Sequence, residues 1–139
     1  MFTSLTKSML IAGCLGLIAG AGVAVAHPSD NSRAEAKLAK ALEGRVAGTP
    51  VDCIQLRDIQ SSQIIDGTAI LYDTGTTLYL NRPASGASWL NDDDVLVTDT
   101  HSSQLCSIDI VRLIDRASRM PNGSVGLGKF IPYTKPKKS

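Results

Sequence analysis

Hydrophobic positions fall into three regimes along the chain. In residues 1–26 (MFTSLTKSMLIAGCLGLIAGAGVAVA) they form one uncharged, glycine-dotted run from Ser8 to about Gly22, behind a single cation, Lys7. In the run Ser32 to Val46 (SRAEAKLAKALEGRV) they recur at helical spacing, with Leu38 and Leu42 one turn apart and Val46 one further on. Beyond Val51 they come in short β-type runs between turn residues.

The middle regime predicts a helix over 32–46. Its Ala, Glu, Lys, Leu and Arg content favours one, and Ser32 with Glu35 reads as an S-x-x-E capping box. Gly44 and Gly48-Thr49-Pro50 close it. The apolar stripe is narrow, as expected of a helix resting on a domain surface. Ile54 and Leu56 open the β region. The strings SQIID, TAILYD and TLYLNR follow as a three-stranded meander, turning at Asp66-Gly67 and Thr74-Gly75-Thr76. Pro83–Trp89 is a loop and Val95–Thr98 another strand. Ser107–Asp115 (SIDIVRLID) has two readings. It is a strand bulged where the apolar phase shifts at Ile110-Val111, or a helix showing Ile110, Leu113 and Ile114 on one face. Its Ile and Val content favours the strand. A last strand is expected over Val125–Ile131, after a turn at Pro121-Asn122-Gly123.

The expected fold is therefore mainly β (α+β): a small antiparallel curled sheet or barrel-like domain with an N-terminal helix and one disulfide. The expected divisions are a leader, 1–26; a polar segment with the helix, 27–50; a β domain, 51–133; and a basic tail, 134–139.

The first regime reads as a secretory signal peptide. Ala24-Val25-Ala26 supplies the small residues that a signal peptidase accepts, so the mature chain would start at His27 with no transmembrane segment. Ile11-Ala12-Gly13-Cys14 offers an alternative, a lipobox in which Cys14 is lipidated and anchors the protein to the envelope. Only six residues separate Lys7 from Cys14, and the chain stays apolar beyond it, whereas lipoproteins turn polar there. Cleavage after Ala26 leaves Cys53 and Cys106. Two cysteines in an exported chain imply one disulfide with a single connectivity.

Charge excludes one class of function. With 14 Lys and Arg against 13 Asp and Glu, the chain lacks the basic excess of a nucleic-acid binder. Aromatic residues, at 4%, are too few for an aromatic carbohydrate-binding strip.

Three strings carry a family resemblance: Val51–Ile59 (VDCIQLRDI), Ser103–Val111 (SQLCSIDIV) and Gly123–Phe130 (GSVGLGKF). With them, over about residues 35–134, the chain resembles an uncharacterised family of short exported proteobacterial proteins, a domain of unknown function. The resemblance implies a periplasmic or envelope location and no particular activity. Some of its members look like lipoproteins, which keeps Cys14 as the alternative.

Few residues suggest chemistry. If His27 is the mature N-terminus, its α-amine and imidazole can chelate Cu(II), and His101, the other of the two histidines, can complete a histidine brace with Asp99 as an axial oxygen. The plainer reading is an exposed terminus and a loop histidine. Asn91-Asp92-Asp93-Asp94 clusters oxygen donors of the kind Ca²⁺ takes, without the alternation of an EF-hand loop, so an acidic turn is the simpler expectation. A secreted hydrolase using His101 with a neighbouring serine and aspartate is a further alternative, though no G-x-S-x-G elbow is present. Arg57 and Asp58 read as a paired sheet edge, Trp89 as a residue closing the core, and Lys135, Lys137 and Lys138 as a solvated tail. The functional expectation is a non-enzymatic periplasmic or secreted binding module for an envelope partner or small ligand, with no cofactor unless copper.

Overall fold

Alternation along the meander decides the architecture of the domain. The computed structural model describes residues 30–138; the expected leader, Cys14 and His27 lie outside them. The elements are α1 (Asp30–Ala41), β1 (Val46–Ala47), β2 (Cys53–Gln55), β3 (Ser61–Ile65), β4 (Ala69–Asp73), β5 (Thr77–Asn81), β6 (Asp94–Thr98), β7 (Gln104–Cys106), β8 (Ile110–Asp115), β9 (Pro121–Gly126) and β10 (Phe130–Thr134). They form three antiparallel sheets, ordered β1-β10-β5-β4-β3, β2-β7 and β6-β8-β9. Single bridges, Val51 to Phe130 and Ser85 to Gly126, carry the chain from the large sheet into the two smaller ones. The mainly β class, the N-terminal helix and the disulfide are as expected.

Side chains alternate across a strand, and in β4 both faces are buried. Ala69 and Leu71 point one way, joining Ile65, Leu80 and the helix residues Ala34 and Leu38. Ile70 and Tyr72 point the other way, into the larger core with Ile54, Leu105, Val111, Leu113, Val125 and Phe130. The large sheet is thus a central layer, with α1 on one face and the two smaller sheets on the other. In the larger core the Tyr72 and Phe130 rings meet edge to face with centroids 5.9 Å apart. Burial without a partner for its hydroxyl pushes the Tyr72 pKa well up.

Helix α1 rests on the surface as its narrow stripe predicted, but its limits differ. Asp30 is already helical, so Ser32 lies within the helix rather than at the N-cap position expected for it. Glu35 instead accepts two hydrogen bonds from Arg82, at 2.8 and 3.0 Å. The helix stops at Ala41, Gly44 turns left-handed at φ 74°, and Val46 leaves the helical stripe to pair with Thr134. Burial of Leu38 stabilises the docked helix by about 2 kcal/mol. The half-exposed Glu35–Arg82 pair contributes under about 1 kcal/mol.

The disulfide joins directly opposed residues of the β2-β7 ribbon, Cys53 and Cys106, with Cα atoms 4.0 Å apart. That spacing belongs to a non-hydrogen-bonded pair, so the Cys106 N–H is free to donate to the Asp109 carboxylate at 2.7 Å. Ile54 and Leu105, one residue on, face the core.

Two expectations for the C-terminal half are corrected. Pro121-Asn122-Gly123 is the start of β9 rather than a turn; the chain turns at 116–119, where Arg119 is left-handed at φ 62°. A proline is tolerated as first residue of a strand. The bulge falls on β9, because Ile114 pairs with Pro121 while Arg112 pairs with Ser124, leaving Asn122 and Gly123 opposite Leu113. Strand β8 itself keeps phase, with Ile110 and Arg112 outward and Val111 and Leu113 buried. The strand expected over Val125–Ile131 is broken in two by Gly128. Its N–H and C=O are both bound by the buried Asn81 amide, at 3.0 and 2.7 Å, and its Cα lies so close to the Arg82 carbonyl that no Cβ would fit.

Two predictions follow from these contacts. Asn81→Ala leaves the partly buried Gly128 N–H and C=O without their partner and opens a hole at a buried position, so unfolding stability should fall by roughly 2 kcal/mol, read as a lower urea midpoint with unchanged slope. For Glu35, the Arg82 guanidinium holds the carboxyl below its ordinary 4.5, so its contribution is complete above that pH and disappears as pH falls through the lowered value. Glu35→Gln should therefore cost a few tenths of a kcal/mol at pH 7 and nothing once pH is well below 4, measured by denaturation at both pH values.

Candidate binding cleft

Where the β2-β7 ribbon leans on the large sheet, the two do not close completely. The gap is a cleft of about 380 Å³ lined by Gln55, Arg57, Asp58, Gln60, Thr76 and Tyr79, with Ile54, Thr74 and Thr77 completing the wall. Backbone geometry fixes one wall. The β4-β5 turn is locked by Thr74, whose N–H and hydroxyl both donate to the Thr77 carbonyl at 3.0 and 2.9 Å, and by the Asp73 carboxylate, which accepts from the Gly75 N–H at 2.7 Å. Gly75 sits at φ 89°, and a Cβ there would stand 2.9 Å from the Gln60 amide, so glycine both makes the turn and leaves room for Gln60. The other wall is a 3-10 turn over Leu56–Asp58, held by the Leu56 N–H donating to the Ser103 carbonyl at 3.0 Å.

The walls are ordered, yet the side chains facing the gap are uncommitted. The side chains of Gln55, Gln60, Thr76 and Tyr79 make no hydrogen bond with any described residue, although Gln55 and Tyr79 are only partly exposed. Arg57 and Asp58 pair with each other at 3.7 Å, both largely exposed, on the 3-10 turn rather than on a strand edge as expected. The cleft presents two amides, hydroxyls, one cation and one anion around a small apolar floor at Ile54. Amides and hydroxyls both donate and accept, so the wall matches a ligand bearing hydroxyl or amide groups.

A larger groove of about 800 Å³ lies beside α1, lined by Asp30, Arg33, Lys37, Asp66 and Leu90 among others. Two of its four charged residues, Lys37 and Asp66, are already engaged. Lys37 pairs with Asp92 at 3.1 Å, and Asp66 accepts from the Asp92 N–H at 2.6 Å.

The residues singled out from sequence lie elsewhere. Asp99 and His101 are exposed in the loop between β6 and β7, where Thr100 and Ser102 hydroxyls donate to nearby carbonyls. The loop places the two residues near one another; their expected companion His27 is outside the described residues. The acidic run Asn91–Asp94 diverges. Asp92 turns to Lys37, the Asp93 N–H donates to the Asn91 side chain, and Asp94 is buried in β6 with Oδ2 accepting from Asn122 at 2.9 Å. Among the described residues no three of His, Cys, Asp and Glu converge as metal ligands. Trp89 does not close the core. It is 58% exposed, its ring lying where a Cβ on Gly123 would be, about 3.1 Å away. Lys135, Lys137 and Lys138 are exposed after β10.

Gln55, Gln60, Thr76 and Tyr79 escaped the sequence reading because they are scattered along the chain and belong to no catalytic or metal-binding motif. The one available signal was that Gln55-Leu56-Arg57-Asp58 directly follows Cys53-Ile54 in the cysteine motif. No family profile, no curated protein and no solved structure matches this chain, so the reading of the site rests on its own residues. In class it is a mainly β domain with one disulfide, a helix-covered sheet and a polar cleft.

Proposed function

We propose that the chain is an exported, disulfide-braced domain that binds a small neutral ligand rich in hydroxyl or amide groups in the polar cleft, without transforming it. The observation that carries this reading is the set of unpartnered Gln55, Gln60, Thr76 and Tyr79 side chains on two backbone walls that are themselves fully braced. Walls whose backbone is set before binding lose little freedom when the ligand arrives, and the amides and hydroxyls they carry have no internal partner to give up. The disulfide suits an oxidising compartment, and no described helix is long and apolar enough to cross a membrane. The disulfide, with the leader and the family resemblance expected from the sequence, supports a periplasmic or secreted location. The cleft wall pairs no hydroxyl with a general base: Thr74 donates to a carbonyl, and Asp58 faces Arg57. A binding role for an envelope component or small solute accounts for it better than hydrolysis does.

The test is a titration of isotope-labelled protein with neutral saccharides and with short peptides, followed by amide chemical shifts. Shifts concentrated in Gln55–Gln60 and Thr74–Tyr79 are expected. The double variant Gln55→Ala/Gln60→Ala should bind at least tenfold more weakly, a loss of about 1.4 kcal/mol, with its melting temperature nearly unchanged. Shifts confined to the groove beside α1, or equal affinity in the double variant, would contradict the assignment.

A further inference from the structure

The outer face of the β8-β9 hairpin has a composition that neither the core nor the cleft explains. Residues two apart along β8 share one face, and here they are Ile110, Arg112 and Ile114, with Ile108 and Arg116 in the turns just before and after the strand. Ile108 is 89% exposed, Ile110 62%, and Met120, just past the hairpin turn, 63%. Val95 of β6, the cross-strand partner of Ile114, adds a further exposed aliphatic group. Arg119 completes a set of three arginines with Arg112 and Arg116. All three are exposed, and none makes an ion pair or side-chain hydrogen bond with a described residue.

The hairpin turn that presents these arginines is rigid. The Asp115 N–H donates to the Met120 carbonyl and the Arg119 N–H to the Asp115 carbonyl, each at 2.9 Å. The Asp115 carboxylate is occupied by the Ser118 N–H at 2.6 Å, which holds its pKa below the usual carboxylate range. Arg119 itself is fixed in the left-handed region, which an L residue rarely adopts. Of the other carboxylates bordering this face, Asp99 follows β6 at the end far from the turn, while Asp93 precedes β6 at the turn end, where Asp94 pairs with Asp115, so the three arginines face Asp93 and the already engaged Asp115.

The geometry points to this hairpin as a docking surface for an anionic lipid bilayer, with Arg112, Arg116 and Arg119 on the phosphate headgroups and Ile110, Ile114 and Val95 at the headgroup–acyl boundary. Three features favour a bilayer over an acidic protein. Cations and aliphatic groups alternate along one strand, so both reach the same depth, as at a headgroup–acyl boundary. Neither of the two clefts described above is lined by a residue of the hairpin, so neither offers a peptide seated there any groove. The free edge of β6 is flanked by Asp93 and Asp99, which discourages strand addition. Arginine also suits phosphate, which its planar fork binds in bidentate fashion.

Sedimentation of the chain, as recovered from expressing cells, with two kinds of vesicle tests this. One is phosphatidylcholine alone; the other carries one third phosphatidylglycerol. Binding is expected to the anionic vesicles, to weaken as salt rises, and to drop roughly fivefold for each of Arg112→Gln, Arg116→Gln and Arg119→Gln. Val95→Ser and Ile110→Ser should weaken the same binding at constant charge, and none of these surface changes should lower the melting temperature appreciably. Equal partitioning onto both vesicle types, or anionic binding untouched in the triple arginine variant, would overturn the proposal. So would capture of polyglutamate by the hairpin without any binding to anionic vesicles.

Discussion

Strand β4 has no face that water can reach, and the rest of the domain is arranged to keep it so. Ala69, Ile70, Leu71 and Tyr72 are each 3% exposed or less. A strand with two apolar faces needs a layer on each side. Helix α1 supplies one through Ala34 and Leu38, and the strands that follow the meander supply the other through Val111, Leu113, Val125 and Phe130. Ion pairs at the helix, Glu35–Arg82 and Lys37–Asp92, fix its position more than they hold it down, since each is about half exposed.

The same requirement accounts for the cleft. The second layer is made of a two-stranded ribbon and a three-stranded sheet, and neither alone is wide enough to cover the central sheet. A two-stranded ribbon is marginal by itself. The Cys53–Cys106 bond staples this one, closing a loop of sequence separation 53 that contains the whole meander. Ile54 and Leu105 then cover the core, and the gap left between the ribbon and the β4-β5 turn is walled by Gln55, Gln60, Thr76 and Tyr79. Stability and binding therefore share the ribbon: one face carries the disulfide, the other the apolar anchor, and its C-terminal end the polar wall.

Local signals made much of this legible before any coordinates. TAILYD between Asp66-Gly67 and Thr74-Gly75-Thr76 specified the meander, and two cysteines specified one pairing. The misread elements share a cause, a local preference overruled by a distant contact. Pro121-Asn122-Gly123 has the composition of a turn, but Asn122 is drawn into the sheet by the buried carboxylate of Asp94, and Gly123 gives way to the Trp89 ring. The strand expected through Gly128 breaks because Asn81, 47 residues earlier, captures its backbone. The cleft was least legible of all. Its residues come from separate elements, and their significance lies in having no partner, a property that exists only once the chain is folded.

Native-state hydrogen exchange tests the central claim, that the doubly buried strand is the frame on which the domain is built. Amides of Ala69–Asp73 should exchange only through global unfolding, with protection matching the total stability, while those of α1 open at lower free energy. Leu38→Ser, which strips cover from one face of the sheet, should lower the protection of β4 and the global stability together. Were the β6-β8-β9 sheet instead to keep full protection while β4 exchanged through local opening, the small sheet would be the frame and this account of the fold would be wrong.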